Sequence, residues 1–219
     1  HERGDIHIHD LDFYALTTTC CQIDLLSLFH GGFSTGLGHI REPQSIASYA
    51  SLACIAIQSN QNDQHGGQSI PNFDYGMALG VAKTFRKAYT NKLTEGLEDF
   101  LDTEDEKDNV TKILADVKEA TGMSPRLETD AEKFDAAVSE QITKKYNIPQ
   151  EKAAHLVEVA RRRANRKADR DTYQAMEGFV HNLNTMHSRA GAQTPFSSLN
   201  YGTDTSPEGR MVIKNTVSS

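Results

Sequence analysis

Residues 17–26 read TTTCCQIDLL and set two of the chain's three cysteines side by side. Neighbouring Cα atoms lie closer than an unstrained disulfide prefers, so the two thiols do not bridge each other and each needs its own explanation. The run alternates, and side chains on a strand repeat every second residue. Thr18, Cys20, Gln22 and Asp24 therefore share a polar, reactive face, while Cys21, Ile23 and Leu25 share an apolar one. That pattern makes Cys20 the candidate for redox or nucleophilic chemistry. Cys21 and Cys54 fit the small buried hydrophobe that most free cysteines are.

Upstream, GDIHIHDLDFY (4–14) alternates Ile6 and Ile8 against His7 and His9, the signature of a half-buried strand. His7 and His9, with Asp5 beside them, have the His-x-His spacing of a metal site. No glutamate follows a few residues on, so hydrogen-bonded interior histidines are expected and no metal is assigned. Downstream, residues 31–38 form a glycine-rich loop without the lysine of a phosphate-binding loop and without a dinucleotide-binding pattern. Pro43 suits the first turn of a helix running to about Asn60, in which Ile46, Ala50, Ala53 and Ile57 lie at helical spacing and small residues permit close helix approach. A polar run closed by Gly66 and Gly67 follows, then a second helix over 74–89.

Residues 91–170 are dominated by charge and predict amphipathic helices near 95–120, 128–146 and 149–169, with breaks at Pro125 and Pro149. The basic run 161–170, RRRANRKADR, is balanced by acidic neighbours and reads as a solvated surface. Residues 171–188 predict a further helix capped by Gly191, and QTPFSSLNYG (193–202) a strand. The expected class is α/β, a sheet-containing unit interrupted by a charged helical insertion.

Composition narrows the function classes. At 219 residues the chain can bury one substantial core. A net charge of -7 and a pI near 5.7 speak against a nucleic-acid partner. No apolar run is long enough to span a bilayer, and the charged first residues do not form a signal peptide. Three cysteines supply no disulfide framework, which points to a reducing compartment and a cytoplasmic address. The start at His1, without methionine, and the finish at IKNTVSS shortly after a strand-like run suggest a piece of something longer.

HERGDIHIHDLDFY, TTTCCQIDL, GFSTGLGHIREPQSI, QSNQNDQHGGQSIPNFDYGMA and TYQAMEGFVHNLNTMHSRAGAQTPFSSLNYGTDTSPEGR together resemble the anaerobic, class III ribonucleoside-triphosphate reductases, a glycyl-radical family. The likeness covers both flanking zones and is less distinctive through the charged middle. It implies a ten-stranded α/β barrel in two antiparallel halves, of which residues 1–219 would be the first, N-terminal part with a charged helical segment at about 91–170. It implies a homodimer that reduces ribonucleoside triphosphates, a glycyl radical installed by a radical-SAM iron–sulfur activase, and formate or a thioredoxin-type protein as reductant. The family's barrel cysteine falls at Cys20. Thr18, Gln22 and one of Ser197 and Ser198 would then contact substrate, the pair left open because the register is unknown. Arg86 and Lys87 become candidates for the phosphates of dNTP or ATP effectors, with ordinary exposed helix charges as the alternative. The glycyl-radical motif, the zinc site and the finger-loop cysteine are not found in these residues. Another glycyl-radical enzyme of formate-lyase type and a non-catalytic nucleotide-binding or dimerisation module are the rival readings.

Overall fold

Asp24 cuts short the strand expected over 17–26. Its carboxylate accepts hydrogen bonds from the N–H of Leu26 (3.0 Å), the N–H of Ser27 (3.4 Å) and the Ser27 hydroxyl (2.7 Å), an N-cap that turns the chain into a helix. The computed structural model describes residue 3 and residues 20–35, 38–63, 66–187, 194 and 196–219. Within them β1 is only Cys21–Gln22, and α1 is Leu25–Phe29. Asp24 and Leu25 therefore leave the strand faces to which the alternation assigned them.

The glycine-rich segment folds as a hairpin of β2 (Phe33–Thr35) and β3 (Gly38–Ile40) rather than as a bare loop. Gly32, at φ +83°, lies where a Cβ would meet the Ile40 carbonyl oxygen at 2.3 Å, so the return of the hairpin requires glycine there. Helix α2 is Ile46–Asp63. It starts three residues after Pro43 because Thr84 accepts the Ile46 N–H at 2.8 Å and the Ser45 hydroxyl accepts the Ser48 N–H at 3.3 Å.

Strand β4 (Gln68–Ile70), which sequence reading passed over, precedes α3 (Phe73–Leu101). Helix α3 runs unbroken for 29 residues where two helices were expected, since nothing between Tyr89 and Glu95 stops it. The hydroxyls of Thr90 and Thr94 bond back to the carbonyls of Arg86 and Thr90 inside the same helix. Helices α4 (Lys107–Thr121) and α5 (Ala131–Tyr146) follow, ended by the left-handed residues Gly122 (φ +70°) and Asn147 (φ +53°).

Helix α6 (Gln150–Thr185) also merges two expected helices, into 36 residues. The change in composition near residue 170 carries no breaker: Lys167 pairs with Asp171 one turn on at 2.6 Å, and Thr172 donates to the Ala168 carbonyl. Strand β5 (Ser197–Leu199) and helix α7 (Pro207–Ser218), the latter not foreseen, complete the described chain.

The sheet is small and parallel, in the order β1-β4-β5, with Cys21 opposite Gln68, Gln22 opposite Ser69, and Gln68, Ser69 and Ile70 opposite Ser197, Ser198 and Leu199. Among the described residues the domain is mostly helical, and its strands close no barrel. One buried cluster joins α1, α2, α3, α6 and the charged segment. Helices α3 and α6 run antiparallel, with Phe73 against Phe179 (5.2 Å between ring centroids) near one end and Gly96 against Leu156 near the other. At the distal end Tyr89 packs edge-on against Phe134 at 6.1 Å and donates from its hydroxyl to Asp135 (2.8 Å). Asp135 is gripped in turn by the Arg161 guanidinium, whose Nη2 lies at 2.7 Å. No helix among the described residues is long and apolar enough to cross a membrane.

Candidate functional site

The parallel register sorts the side chains of the sheet. Paired residues on neighbouring strands point the same way, and successive residues point oppositely. Cys21, Gln68 and Ser197 therefore share the face toward α2, and Gln22, Ser69 and Ser198 share the other. Burial follows: Gln68 is buried and Ser197 half-buried, whereas Cys20, Gln22 and Ser198 are exposed. Cys20, Gln22, Ser69, Ser198, Gly67 and Phe196, together with Cys21 and Gln68, line a recess of about 350 Å³. A Cβ on Gly67 would meet Phe196 Cδ1 at 2.9 Å, so the glycine lets β5 close against β4 at the rim.

Of the expected site residues, Cys20, Gln22 and Ser198 come together. Ser197 turns the other way, with its hydroxyl enclosed and unpaired. Thr18 lies outside the described residues, as do His7 and His9. Ser69 belongs to the recess but was not foreseen, because β4 is three residues long and three residues of alternation do not distinguish a strand from a turn. Arg86 and Lys87 lie elsewhere, 13 positions or more along α3 from Phe73, a rise of about 20 Å. Lys87 is exposed, and Arg86 is half-buried with an enclosed, unpaired Nε. Cys54 sits in α2 against the Phe179 carbonyl, and burial pushes its thiol up to about 11, the behaviour of an inert core residue.

Behind and beside the recess two polar devices set the strands. Asn60 of α2 donates from Nδ2 to Cys21 Sγ and to Gln68 Oε1, both at 2.8 Å, and Gln68 Nε2 donates to the Ile57 carbonyl at 2.8 Å. Asp74, fully buried in the first turn of α3, accepts on one carboxylate oxygen the N–H groups of Gly202 (2.8 Å), Thr203 (3.0 Å) and Asp204 (3.0 Å), and on the other that of Tyr75 (3.0 Å). Burial opposes its ionisation, yet the four donated bonds outweigh that and hold the carboxyl below its ordinary value. The loop that leaves β5 is thereby tied to the helix that leaves β4. No group of three or more His, Cys, Asp or Glu side chains among the described residues could hold a metal ion.

The recess thus places an exposed thiol among amide and hydroxyl groups beside a parallel sheet. The family model of the anaerobic ribonucleoside-triphosphate reductases matches residues 1–219, and the chain belongs to that family. It is similar to the anaerobic ribonucleoside-triphosphate reductase of Enterobacteria phage T4, 26% identical over 216 residues, covering 98% of this chain and 26% of the phage protein. The Escherichia coli K12 protein of the same description is 25% identical over 214 residues, covering 97% of this chain and 22% of its own length. The Haemophilus influenzae protein is 29% identical over 89 residues. The chain thus spans about a quarter of the length of the phage and E. coli relatives.

Proposed function

We propose that residues 1–219 are the N-terminal part of the catalytic barrel of an anaerobic ribonucleoside-triphosphate reductase, with Cys20 as the reacting thiol of this segment and the recess as its share of the substrate site. The observation that carries this reading is the recess that brings Cys20, just ahead of β1, together with Gln22, Ser69 and Ser198, which share one face of three adjacent parallel strands, while the Cys21 sulfur is met by Asn60 of α2. Both sheet edges, β1 and β5, have one partner each among the described residues, a geometry that further barrel strands would extend. The glycyl radical, installed by a radical-SAM activase, supplies the one-electron chemistry from outside this segment. Within the segment, Gln22, Ser69, Ser198 and Thr18 would hold the ribose by hydrogen bonds, and the Cys20 thiol would serve departure of the 2′ hydroxyl as water. Formate or a protein dithiol would supply the electrons. Arg86 and Lys87 would meet effector phosphates at a dimer contact, and the enzyme would work in the cytoplasm.

The test is activity of the full-length protein carrying this segment. Cys20→Ser abolishes deoxynucleotide formation while the glycyl radical still forms, and Cys21→Ser retains activity. The reverse pattern would sink the assignment, and full activity of both variants would favour a nucleotide-binding module without thiol chemistry.

A further inference from the structure

Strand β1 is two residues long, Cys21 and Gln22, and follows directly on Cys20, which leaves its pairing under-specified. A slip of one residue flips every side chain to the opposite face. Here it would exchange one thiol for the other, and with them turn Gln22 inward and Ile23, which packs against the core, outward. The backbone bonds that resist it are the Cys21 N–H to the Gly67 carbonyl at 3.3 Å and the Ile23 N–H to the Ser69 carbonyl at 2.8 Å.

The amide chain behind the sheet supplies a directional lock. A backbone carbonyl can only accept, so Ile57 obliges Gln68 to present its NH2 to α2 and its Oε1 to Asn60. Gln68 Oε1 then obliges Asn60 to present its own NH2, the group that also meets Cys21 Sγ. The polarity of the chain is therefore set by helix α2 rather than by a free choice of amide flip. Gln68 is the residue opposite Cys21 in the ladder and is 3% exposed, so the lock sits buried at the Cys21 rung.

We propose that Asn60 and Gln68 are positioning residues that select between the two adjacent thiols, seating the Cys21 sulfur against α2 so that Cys20 faces the recess. This deepens the reading of Cys20 as the reacting thiol and rests on it. Selection by a donor differs from selection by packing, and isosteric variants separate the two: Asn60→Asp keeps the shape but faces Gln68 Oε1 with an acceptor, and Gln68→Glu does the same to the Ile57 carbonyl.

Peptide-resolved alkylation of the full-length protein with iodoacetamide, under anaerobic conditions, tests the proposal without turnover. In the unsubstituted protein Cys20 is modified about ten-fold faster than Cys21, since reactivity follows access of the thiol, and Cys54 stays protected. Asn60→Asp brings Cys21 to within about three-fold of Cys20 while Cys54 remains protected, which loosening of the whole domain would not do. If Cys54 becomes reactive in that variant, the ratio is read on Gln68→Glu. Equal modification of the two thiols before substitution overturns the proposal, as does an unchanged ratio in the variant. Loss of Cys54 protection in both variants also overturns it, because the pair would then hold the fold and not the register. None of these outcomes bears on the activity of Cys20→Ser, so the two readings fail separately.

Discussion

In the distal helices the buried residues recur at helical spacing and nearly all are apolar: Val110, Ile113, Leu114 and Val117 on α4, Phe134, Val138 and Ile142 on α5, and Ala153, Val157, Ala160 and Ala164 on α6. At the other end, strands of two and three residues are held by side chains that carry hydrogen bonds: Gln68 to Asn60 and Ile57 nearby, Asn60 to Cys21 and Asp74 to Asp204 across long sequence separations. The first arrangement is non-directional and tolerates rearrangement; the second is directional and fails when one partner is changed. The strands that carry Cys21 and its neighbours are set by the second kind of contact, while the charged helices supply stability by the first.

Breaking the apolar end should give the largest effect. Phe134→Ala removes the ring that packs on Tyr89 and lies beside the Asp135–Arg161 pair, and is expected to cost about 3–5 kcal/mol in chemical denaturation. A loss below about 1 kcal/mol would mean that the distal helices are held by something other than their core. At the polar end, Asp74→Asn should cost about 2–3 kcal/mol, because an amide can no longer accept from three successive N–H groups on one charged oxygen. The folded carboxyl titrates below its unfolded value of 3.8, so its stabilisation is complete above about pH 4 and is lost as pH falls through the lower folded value. The variant should accordingly lose part of the acid-dependent limb that the parent shows below pH 4 in a melting series, and an unchanged limb would remove Asp74 from the account. The smallest effect is expected where the two ends meet. A Cβ at Gly80 would lie 3.0 Å from Ile46 Cα and from the Tyr49 ring, so Gly80→Ala sets about 1–3 kcal/mol of overpacking against a helix-propensity gain of about 1 kcal/mol. Net destabilisation in thermal melts would show that α2 and α3 cross too closely to adjust.

The contrast also explains what could be read in the sequence. The alternation around Cys20 and Cys21 anticipated an exposed Cys20 and a less exposed Cys21, and the close approach of α2 was foreseeable from Ala50 and Ala53, both buried at the contact. Helix number was misjudged where a shift in composition stood in for a physical stop: neither Thr90 nor Asp171 breaks a helix, and each is hydrogen-bonded within one. Asp24 was placed on a strand face because its capping role depends on a turn that alternation does not reveal. Strand β4, the side to which Ser197 turns, and the Asp74 clamp depend on pairings between residues up to 130 positions apart, for which local pattern has no signal.

The antiparallel pair α3 and α6 bears on how this region can change in length over evolution. Phe73 meets Phe179, and Gly96 meets Leu156, so residue numbers across the pair sum to nearly the same value along its length. The charged segment is consequently no detachable cassette: its ends lie inside two continuous helices. A shorter relative would need matched excisions from both rods, about seven residues from each to keep the facing stripes aligned over two turns, while an unmatched cut would rotate one buried face into water. Length variation here should therefore come in paired helical turns, leaving the sheet and its two cysteines undisturbed.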